Sequence, residues 1–235
     1  MNATSRIDMS RTFSEQVVDQ LRVDIVGGEY PPLAKLPMKE LVARYKVGLS
    51  PVREALHRLV GEGFVSTVGQ RGFTVPPLSL ADLDDLTALR AMVEQAAVLQ
   101  AIKTGDDAWE AGIVSAFYRL EKEVSRFNTS DSAVIKRFDA IHRAFHGALF
   151  AGISPRLAGL QANLFDQAFR YRKSLHQQDL SPSHLVGEHR LLMEAVLSRD
   201  ASRATEAVLG HLQLTPAATH HLLAPGQRQT PSKAG

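Results

Sequence analysis

The chain has 235 residues, 44% of them hydrophobic, so it can bury the core of one large domain or of two modest ones. It contains no cysteine, which excludes disulfides and thiolate metal sites and leaves histidine and carboxylate as the metal ligands. The N-terminus lacks the apolar core of a signal peptide, and no later run approaches the roughly 20 apolar residues of a membrane span. We therefore expect a soluble, cytoplasmic protein with no membrane partner.

The net charge of +2 is too small to indicate nucleic-acid binding by itself, but charge and histidine are unevenly distributed. Residues 1–75 hold ten Lys and Arg against eight Asp and Glu, whereas the remainder is balanced. Eight of the nine histidines lie from His142 onward. The two parts of the chain differ in chemistry, which favours two domains.

Two helices are predicted at the start of the chain. Apolar residues recur at helical spacing from Phe13 to Val26, and the Gly27-Gly28 pair ends that pattern. After the turn at Pro31-Pro32, apolar residues from Leu36 to Tyr45 predict a second, short helix. Lys39 lies on its polar face.

A third helix and a hairpin follow. Ser50 is a good N-cap and Pro51 suits the first helical position, so a helix is predicted from there to about residue 61. Residues 64–68 and 73–75 predict two short strands around a glycine-bearing turn. Three helices followed by a hairpin form a winged helix-turn-helix, whose third helix can lie in the major groove of DNA.

The long side chains of the third helix allow two interpretations. Arg53 and Arg58 are its long hydrogen-bond donors and could contact DNA. Alternatively, they are ordinary solvated charges on a small helical subdomain. The order of the elements favours the first interpretation.

A short linker and a helical domain are predicted after the hairpin. Residues 76–79 form the linker, because the paired prolines there cannot continue a strand ladder. We expect a mainly α protein with a DNA-binding domain over 1–75, an all-helical bundle of six or seven helices over 80–224, and a disordered tail over 225–235. Periodicity and its interruptions place the helices of the bundle at 80–103, 107–127, 131–151, 155–176, 182–199 and 201–222.

The histidines of the predicted bundle are its most informative polar residues. His142 and His146 are four residues apart on one helix, so their side chains point to the same side, and Asp139 lies one turn earlier on that face. His189 and His211 lie on two later helices. Imidazoles from three helices could converge on a divalent metal such as Zn or Ni. The alternative is that they are surface or singly hydrogen-bonded histidines.

The stretch from residue 23 to 75 resembles the GntR family of transcription regulators. The matching residues are Gly28-Glu-Tyr-Pro31, Leu36, Leu41-Val-Ala43, Pro51-Val-Arg-Glu-Ala-Leu56, Arg58-Leu59, Glu62-Gly63-Phe64-Val65 and Arg71-Gly72. The resemblance implies that Arg53 contacts operator base or phosphate. The full set of predicted DNA contacts, from the second helix through the third to the tip of the hairpin, is Lys39, Ser50, Pro51, Arg53, Arg58, Arg71 and Gly72.

Two positions depart from that family pattern. The family usually has Ser-Arg-Thr or Ser-Arg-Ser before the proline, whereas this chain has Gly48-Leu49-Ser50, so Leu49 replaces a common DNA-reading arginine. Leu33 stands where the family often has glycine. The first departure implies a different operator sequence, and the second is expected to affect only a turn.

The stretch from residue 80 to 212 resembles the ligand-binding FCD domain of the FadR branch. The matching residues are Leu89-Arg90 with Glu94, Phe145-His146 with Leu149, Pro155-Arg-Leu157, Glu188-His189-Arg190, Ala195-Val196, Arg199-Asp200 and His211-Leu212. In that family an Asp, a His four residues later and two downstream His bind metal, which maps onto His146, His189 and His211. Here His142 occupies the Asp position. We favour His142 as the fourth ligand; the alternatives are that Asp139 reaches in or that metal binds poorly.

Arg90 is the predicted effector-binding residue. A guanidinium near a metal can hold a carboxylate at two points while the metal takes another oxygen, which selects small organic acids. The alternative is a structural contact with Glu94, four residues on. Further charge in the pocket could come from Arg137, Arg143, Arg170 and Arg172.

These features predict a homodimeric DNA-binding regulator, most simply a repressor, that binds pseudo-palindromic operator DNA under the control of a small carboxylate. A metal-dependent enzyme fused to a DNA-binding module is the first alternative. A di-iron site would need two Glu-x-x-His pairs, yet the one such spacing is Glu54 to His57, and a hydrolase would need a general base that is not evident. The second alternative is a dimerising scaffold that binds no ligand.

Overall fold

The computed structural model describes residues 11–69, 72–126, 132–175 and 182–223. The chain divides into two compact units between Leu78 and Ser79, within the segment 76–79 that the sequence predicts as a linker. The predicted tail over 225–235 lies outside the described residues. In the described ranges, no helix is both long enough and apolar enough to cross a membrane.

The first unit has three helices followed by a two-stranded hairpin. Its elements are α1 (Phe13–Val26), α2 (Met38–Tyr45), α3 (Leu49–Gly61), β1 (Ser66–Val68) and β2 (Gly72–Thr74). The strands are antiparallel, with Ser66 opposite Thr74 and Val68 opposite Gly72. The predicted winged helix-turn-helix is confirmed.

Helix α1 begins at a capping box that the sequence analysis did not identify. The Thr12 side chain accepts a hydrogen bond from the backbone N–H of Glu15 at 3.2 Å, and the Thr12 N–H donates to the Glu15 carboxylate at 2.8 Å. These two bonds satisfy N–H groups that have no partner within the helix. The face of α1 that contains Val17 and Leu21 then packs on α3 and is almost completely buried.

The start of α3 lies two residues before the predicted one. The helix begins at Leu49 and its N-cap is Gly48, whose side chain can make no capping bond, so Ser50 is not the N-cap. Pro51 is consequently the third helical residue rather than the first. Its missing N–H costs nothing there either, because the first four N–H groups of a helix have no intrahelical acceptor.

The second unit has seven helices among its described residues, within the predicted six or seven. They are α4 (Leu80–Thr104), α5 (Asp107–Val124), α6 (Ser132–Leu149), α7 (Pro155–Leu175), α8 (Pro182–Leu197), α9 (Ala201–Leu212) and α10 (Leu214–Leu223). Helix α4 packs against α7 and α9, and α5 packs against α6 and α8. The core between them includes Val98, Ile113, Leu120, Phe145 and Val196.

The single helix predicted over 201–222 is wrong, because it is divided at Gln213 into α9 and α10. Pro216 gives the physical reason. Its ring nitrogen has no hydrogen to donate to the carbonyl four residues earlier, that of Leu212, and its ring would clash there.

Candidate functional site

The exposed face of α3 carries most of the side chains predicted to contact DNA. Ser50, Arg53 and Arg58 are exposed, and Pro51 is half-buried in the first turn. The opposite face, which includes Val52 and Leu56, is fully buried against the unit's core. Since the core fixes the orientation of α3, the polar face is presented to solvent.

The two arginines of this face have different surroundings. Arg53 is exposed in the second turn and makes no hydrogen bond or ion pair with any residue that the structure describes. Arg58, near the end of α3, forms an ion pair with Glu62 at 3.2 Å, and Glu62 also pairs with Arg22. Arg53 is therefore available for an external anion, whereas Arg58 takes part in an intramolecular contact.

The remaining predicted contacts lie on α2 and on the hairpin. Lys39 is exposed in the first turn of α2. Gly72 pairs with Val68, and a Cβ atom at position 72 would lie 2.8 Å from the Val68 carbonyl oxygen, so the hairpin requires a glycine there. Arg71 lies outside the described residues.

Three histidines meet inside the second unit. His142, His146 and His189, called the histidine triad below, are 1%, 4% and 2% exposed. The Nε2 atom of His142 is 2.8 Å from that of His189 and 3.1 Å from that of His146, and the third separation is 3.3 Å. Helices α6 and α8 thus bring three imidazole nitrogens to one point.

The geometry of the triad fits a divalent metal. An ion bonded at about 2.0–2.1 Å to each of three nitrogens holds them about 2.9–3.4 Å apart, close to the observed separations. The Nδ1–H of His189 donates to the Leu185 carbonyl at 2.7 Å, so Nε2 of the neutral ring presents its lone pair to the other two histidines. Such a second hydrogen bond is typical of metal-ligating histidine.

His211 and Asp139, the other two residues considered for this site, are less closely associated with it. The ring centre of His211 is 5.0 Å from that of His146 and 4.7 Å from that of His189. In His142, His146 and His189, one potential ligand atom from each residue lies within 4.8 Å of the other two. Among the described residues, this group includes neither His211 nor Asp139. The structure places His142, rather than Asp139, beside the other nitrogens.

A small cavity of about 30 Å³ adjoins the triad. The residues that line it are Arg90, His142, His146, Phe165, Ala168, Phe169, His211, Leu212 and Thr215. Arg90 is 8% exposed, and its Nε and Nη2 atoms donate to Oε1 of Glu94 at 2.9 and 2.7 Å. Both interpretations of Arg90 thus have a counterpart in the structure, since it pairs with Glu94 and also lines the cavity.

The aromatic residues around the triad were not predicted. The Phe165 ring centre is 5.1 Å from that of His146, and the Phe169 ring centre is 6.3 Å from that of His142. They are four residues apart on α7, a spacing that the sequence displays without indicating which side chains they face. These rings provide an apolar wall, which strengthens electrostatic interactions inside the cavity.

Three of the four additional arginines considered for the pocket are not among the residues that line it. Arg137 pairs with Glu123 at 2.6 Å, and Arg143 pairs with the buried carboxylate of Asp166. Burial lowers the pKa of Arg170, which is not among the residues that line the cavity. The side chain of Arg172 lies outside the described part of the chain.

Comparison with known proteins gives these two units a family. Residues 13–75 match the bacterial regulatory proteins of the gntR family, and residues 85–214 match the FCD domain. The chain belongs to the GntR family. The match covers the winged helix-turn-helix in the first unit and the triad in the second.

Two relatives of this GntR protein are similar over most of its length. It is 38% identical to the HTH-type transcriptional repressor GlaR of Escherichia coli, over 83% of this chain and 90% of that protein. It is 34% identical to the protein described as uncharacterized HTH-type transcriptional regulator BphR of Paraburkholderia xenovorans, over 86% of this chain and 83% of that one. E. coli McbR/YncC has the same fold, with a TM-score of 0.75 at 23% identity over 90% of this chain and 98% of that one.

These comparisons decide the class of function. The family and both relatives are transcription regulators, so the prediction of a DNA-binding regulator rather than an enzyme is confirmed.

Proposed function

We propose that this GntR protein is a cytoplasmic, homodimeric repressor whose affinity for a pseudo-palindromic operator depends on a small carboxylate bound beside a divalent metal in the FCD domain. The observation that carries the proposal is the meeting of three imidazole nitrogens within 3.3 Å beside a cavity that a buried arginine also lines. GlaR is a transcriptional repressor, which supports repression rather than activation.

The histidine triad would hold the metal, with His211 at its edge. Neutral imidazole nitrogens suit zinc, nickel and related ions. The bound ion would supply a positive charge that attracts a carboxylate oxygen. The aromatic wall formed by Phe165 and Phe169 keeps bulk water away from this point.

Arg90 would take the second contact with the carboxylate. Its guanidinium can bind a carboxylate at two points, but two of its nitrogen atoms donate to Glu94. An acid must therefore share or replace the Glu94 contact. The cavity of about 30 Å³ is also small, so an organic acid that binds there would widen it.

This requirement gives the effector a way to act on DNA binding. A ligand shifts a conformational equilibrium when it binds one form better than the other. An acid that fits only a widened cavity has such a preference. The effect reaches the operator if the widened form holds the two DNA-binding units of the dimer at a different spacing.

The DNA-binding units would each place α3 in the major groove. In a dimer the two copies meet successive grooves about 34 Å apart, which is why the operator should be pseudo-palindromic. Arg53 would contact base or phosphate near the start of α3, with Lys39, Ser50 and the hairpin beside it. Arg58 would contribute less, because its guanidinium pairs with Glu62.

The metal site can be tested by calorimetric titration of the metal-stripped protein with Zn²⁺ and Ni²⁺. We expect one ion per chain for the wild type and an affinity lower by about 10- to 100-fold or more for His189→Ala. His184→Ala, on the same helix but with a side chain 68% exposed, is the matched control and should bind as the wild type does. Equal affinity in all three proteins would exclude the triad as the site.

The regulator itself can be tested by fluorescence anisotropy on the DNA upstream of its own gene, at several salt concentrations. We expect tight, salt-dependent and sequence-selective binding that Arg53→Ala weakens by about 10-fold or more. Arg203→Ala removes an exposed arginine from the second unit and should have little effect. Binding no better than to random DNA would refute the operator proposal.

Effector control can be tested with the same assay in the presence of metal and a panel of short mono- and dicarboxylates. An acid that raises the thermal unfolding temperature of the FCD domain should also change operator affinity, and Arg90→Lys should weaken the response, since Lys cannot form a two-point contact. An acid that binds tightly and leaves operator affinity unchanged would contradict the allosteric part of the proposal.

A further inference from the structure

The first turn of α3 carries one large apolar side chain on its exposed side. Leu49 is the first residue of the helix and is 50% exposed. Residues four apart on a helix lie on the same face, so Leu49 is next to Arg53, which is also exposed. An exposed leucine is thus part of the same surface as the arginine proposed to contact DNA.

The position of this leucine gives it a distinctive neighbourhood in a DNA complex. In a helix-turn-helix, the N-terminal residues of the second helix of the motif contact the base edges of the major groove. Leucine has no hydrogen-bonding atom in its side chain, so it cannot pair with the donors and acceptors of guanine, adenine or cytosine. The C5 methyl group of thymine is the apolar group that the major groove offers.

We propose that Leu49 is a specificity-determining residue that packs on the C5 methyl group of a thymine in each operator half-site. The inference rests on the proposed binding of α3 in the major groove. Contact with the methyl group removes part of the leucine side chain from water, which favours binding. With a base that lacks the methyl group, this part of the leucine surface stays exposed to solvent. The operator should therefore contain a thymine at the base pair nearest the start of α3.

Other exposed apolar residues of the first unit do not share this position. Leu33 is 68% exposed but lies in the loop before α2, and Val68 is 57% exposed but lies in the hairpin. The side chain of Leu33 resembles that of Leu49 in size and exposure. Leu33 is accordingly a suitable control for a general effect of removing an exposed leucine.

The experiment begins with selection of operator sequences from random duplex DNA by the full-length protein. Each thymine of the selected site is then replaced by deoxyuridine, which removes only the methyl group, and affinities are measured by fluorescence anisotropy. For the wild type, deoxyuridine at one position of each half-site should weaken binding by about four-fold per half-site, the effect of leaving one methyl group unburied. Leu49→Ala should bind thymine and deoxyuridine equally at that position, and Leu33→Ala should discriminate as the wild type does.

A gain of function provides a second measurement. In the same selection, the Leu49→Arg variant should select operators with guanine instead of thymine at that position. The reason is that arginine donates two hydrogen bonds to the O6 and N7 atoms of guanine. Both substitutions are at an exposed residue, and circular dichroism will verify that the variants fold.

The outcomes separate this inference from the proposed function. If the wild type selects an operator but Leu49→Ala responds to every deoxyuridine as the wild type does, the leucine contact is refuted and the operator proposal stands. If the wild type selects no sequence, both are refuted.

Discussion

Replacement of Gly105 by alanine should destabilise the second unit strongly. A Cβ atom at this position would lie 2.1 Å from Cε3 and 2.5 Å from Cδ2 of the Trp109 ring, distances at which the ring must move. Trp109 is only 8% exposed, and its indole N–H donates to the Ala148 carbonyl at 3.1 Å. Movement of the ring would therefore disturb a packed core and a hydrogen bond at once.

The expected cost follows from these two contributions. Forcing an extra methyl group into a packed core costs about 1–3 kcal/mol. A lost hydrogen bond of the indole costs about 1 kcal/mol more. The free energy of unfolding of the second unit should thus fall by about 2–4 kcal/mol in Gly105→Ala.

The control is Gly112→Ala, in the middle of α5. Apart from the backbone of its own helix and its chain neighbours, no atom lies within 4 Å of a Cβ at this position, which is exposed. Alanine should stabilise the helix by about 0.5–1 kcal/mol, because glycine loses more conformational freedom on folding. The same chemical change is thus expected to have opposite effects at two positions seven residues apart.

The assay is urea denaturation followed by tryptophan fluorescence. Trp109 is the one tryptophan of the chain, so the signal reports on the second unit without interference from the first. An unfolding midpoint of Gly105→Ala equal to that of the wild type would refute the packing argument, as would a midpoint of Gly112→Ala below it.

Three further substitutions have defined expectations. Leu33 has a φ of 68°, a region that costs an L-residue about 1–2 kcal/mol, so Leu33→Gly should raise the free energy of unfolding of the first unit by about 0.5–1 kcal/mol, measured by circular dichroism. Glu94→Ala would leave Arg90 buried without its carboxylate and should cost the second unit about 3 kcal/mol in urea denaturation. Burial, and then a hydrogen bond to Asp82, raise the pKa of Tyr171 to about 12. The contribution of this raised pKa to stability is therefore full below pH 10 and is lost as the pH rises toward 12. Tyr171→Phe should remove this loss, measured as urea midpoints from pH 9 to 11.

Each of these expectations has a matched comparison. Leu33→Ala keeps the unfavourable φ and should not stabilise the protein. Glu121→Ala breaks an exposed ion pair with Arg190 and should cost less than about 1 kcal/mol. For Tyr171, wild type and Tyr171→Phe are compared at each pH, which cancels the titration of all other groups; a constant difference from pH 9 to 11 would contradict the assigned pKa.

Much of the fold could be predicted from local patterns. The apolar spacing of α1, the proline near the start of α3 and the glycines of the hairpin are each set by neighbouring residues, because helix and turn geometry are local. The errors were also local. Serine is a favoured cap and predicts the N-cap of α3 at Ser50, although the N-cap is Gly48, two residues earlier, and the predicted helix over 201–222 takes no account of Pro216.

The sequence by itself determined that His142 and His146 share one face of a helix, because four residues make about one turn. It could not determine that His189 meets them, since that depends on how α6 and α8 pack, 43 residues apart in the chain. Tertiary structure likewise decided that Phe165 and Phe169 face the triad and that Arg90 both pairs with Glu94 and lines the cavity. The physical reason is that a side chain's direction on its own helix follows from spacing, whereas the neighbour it meets follows from the packing of the whole core.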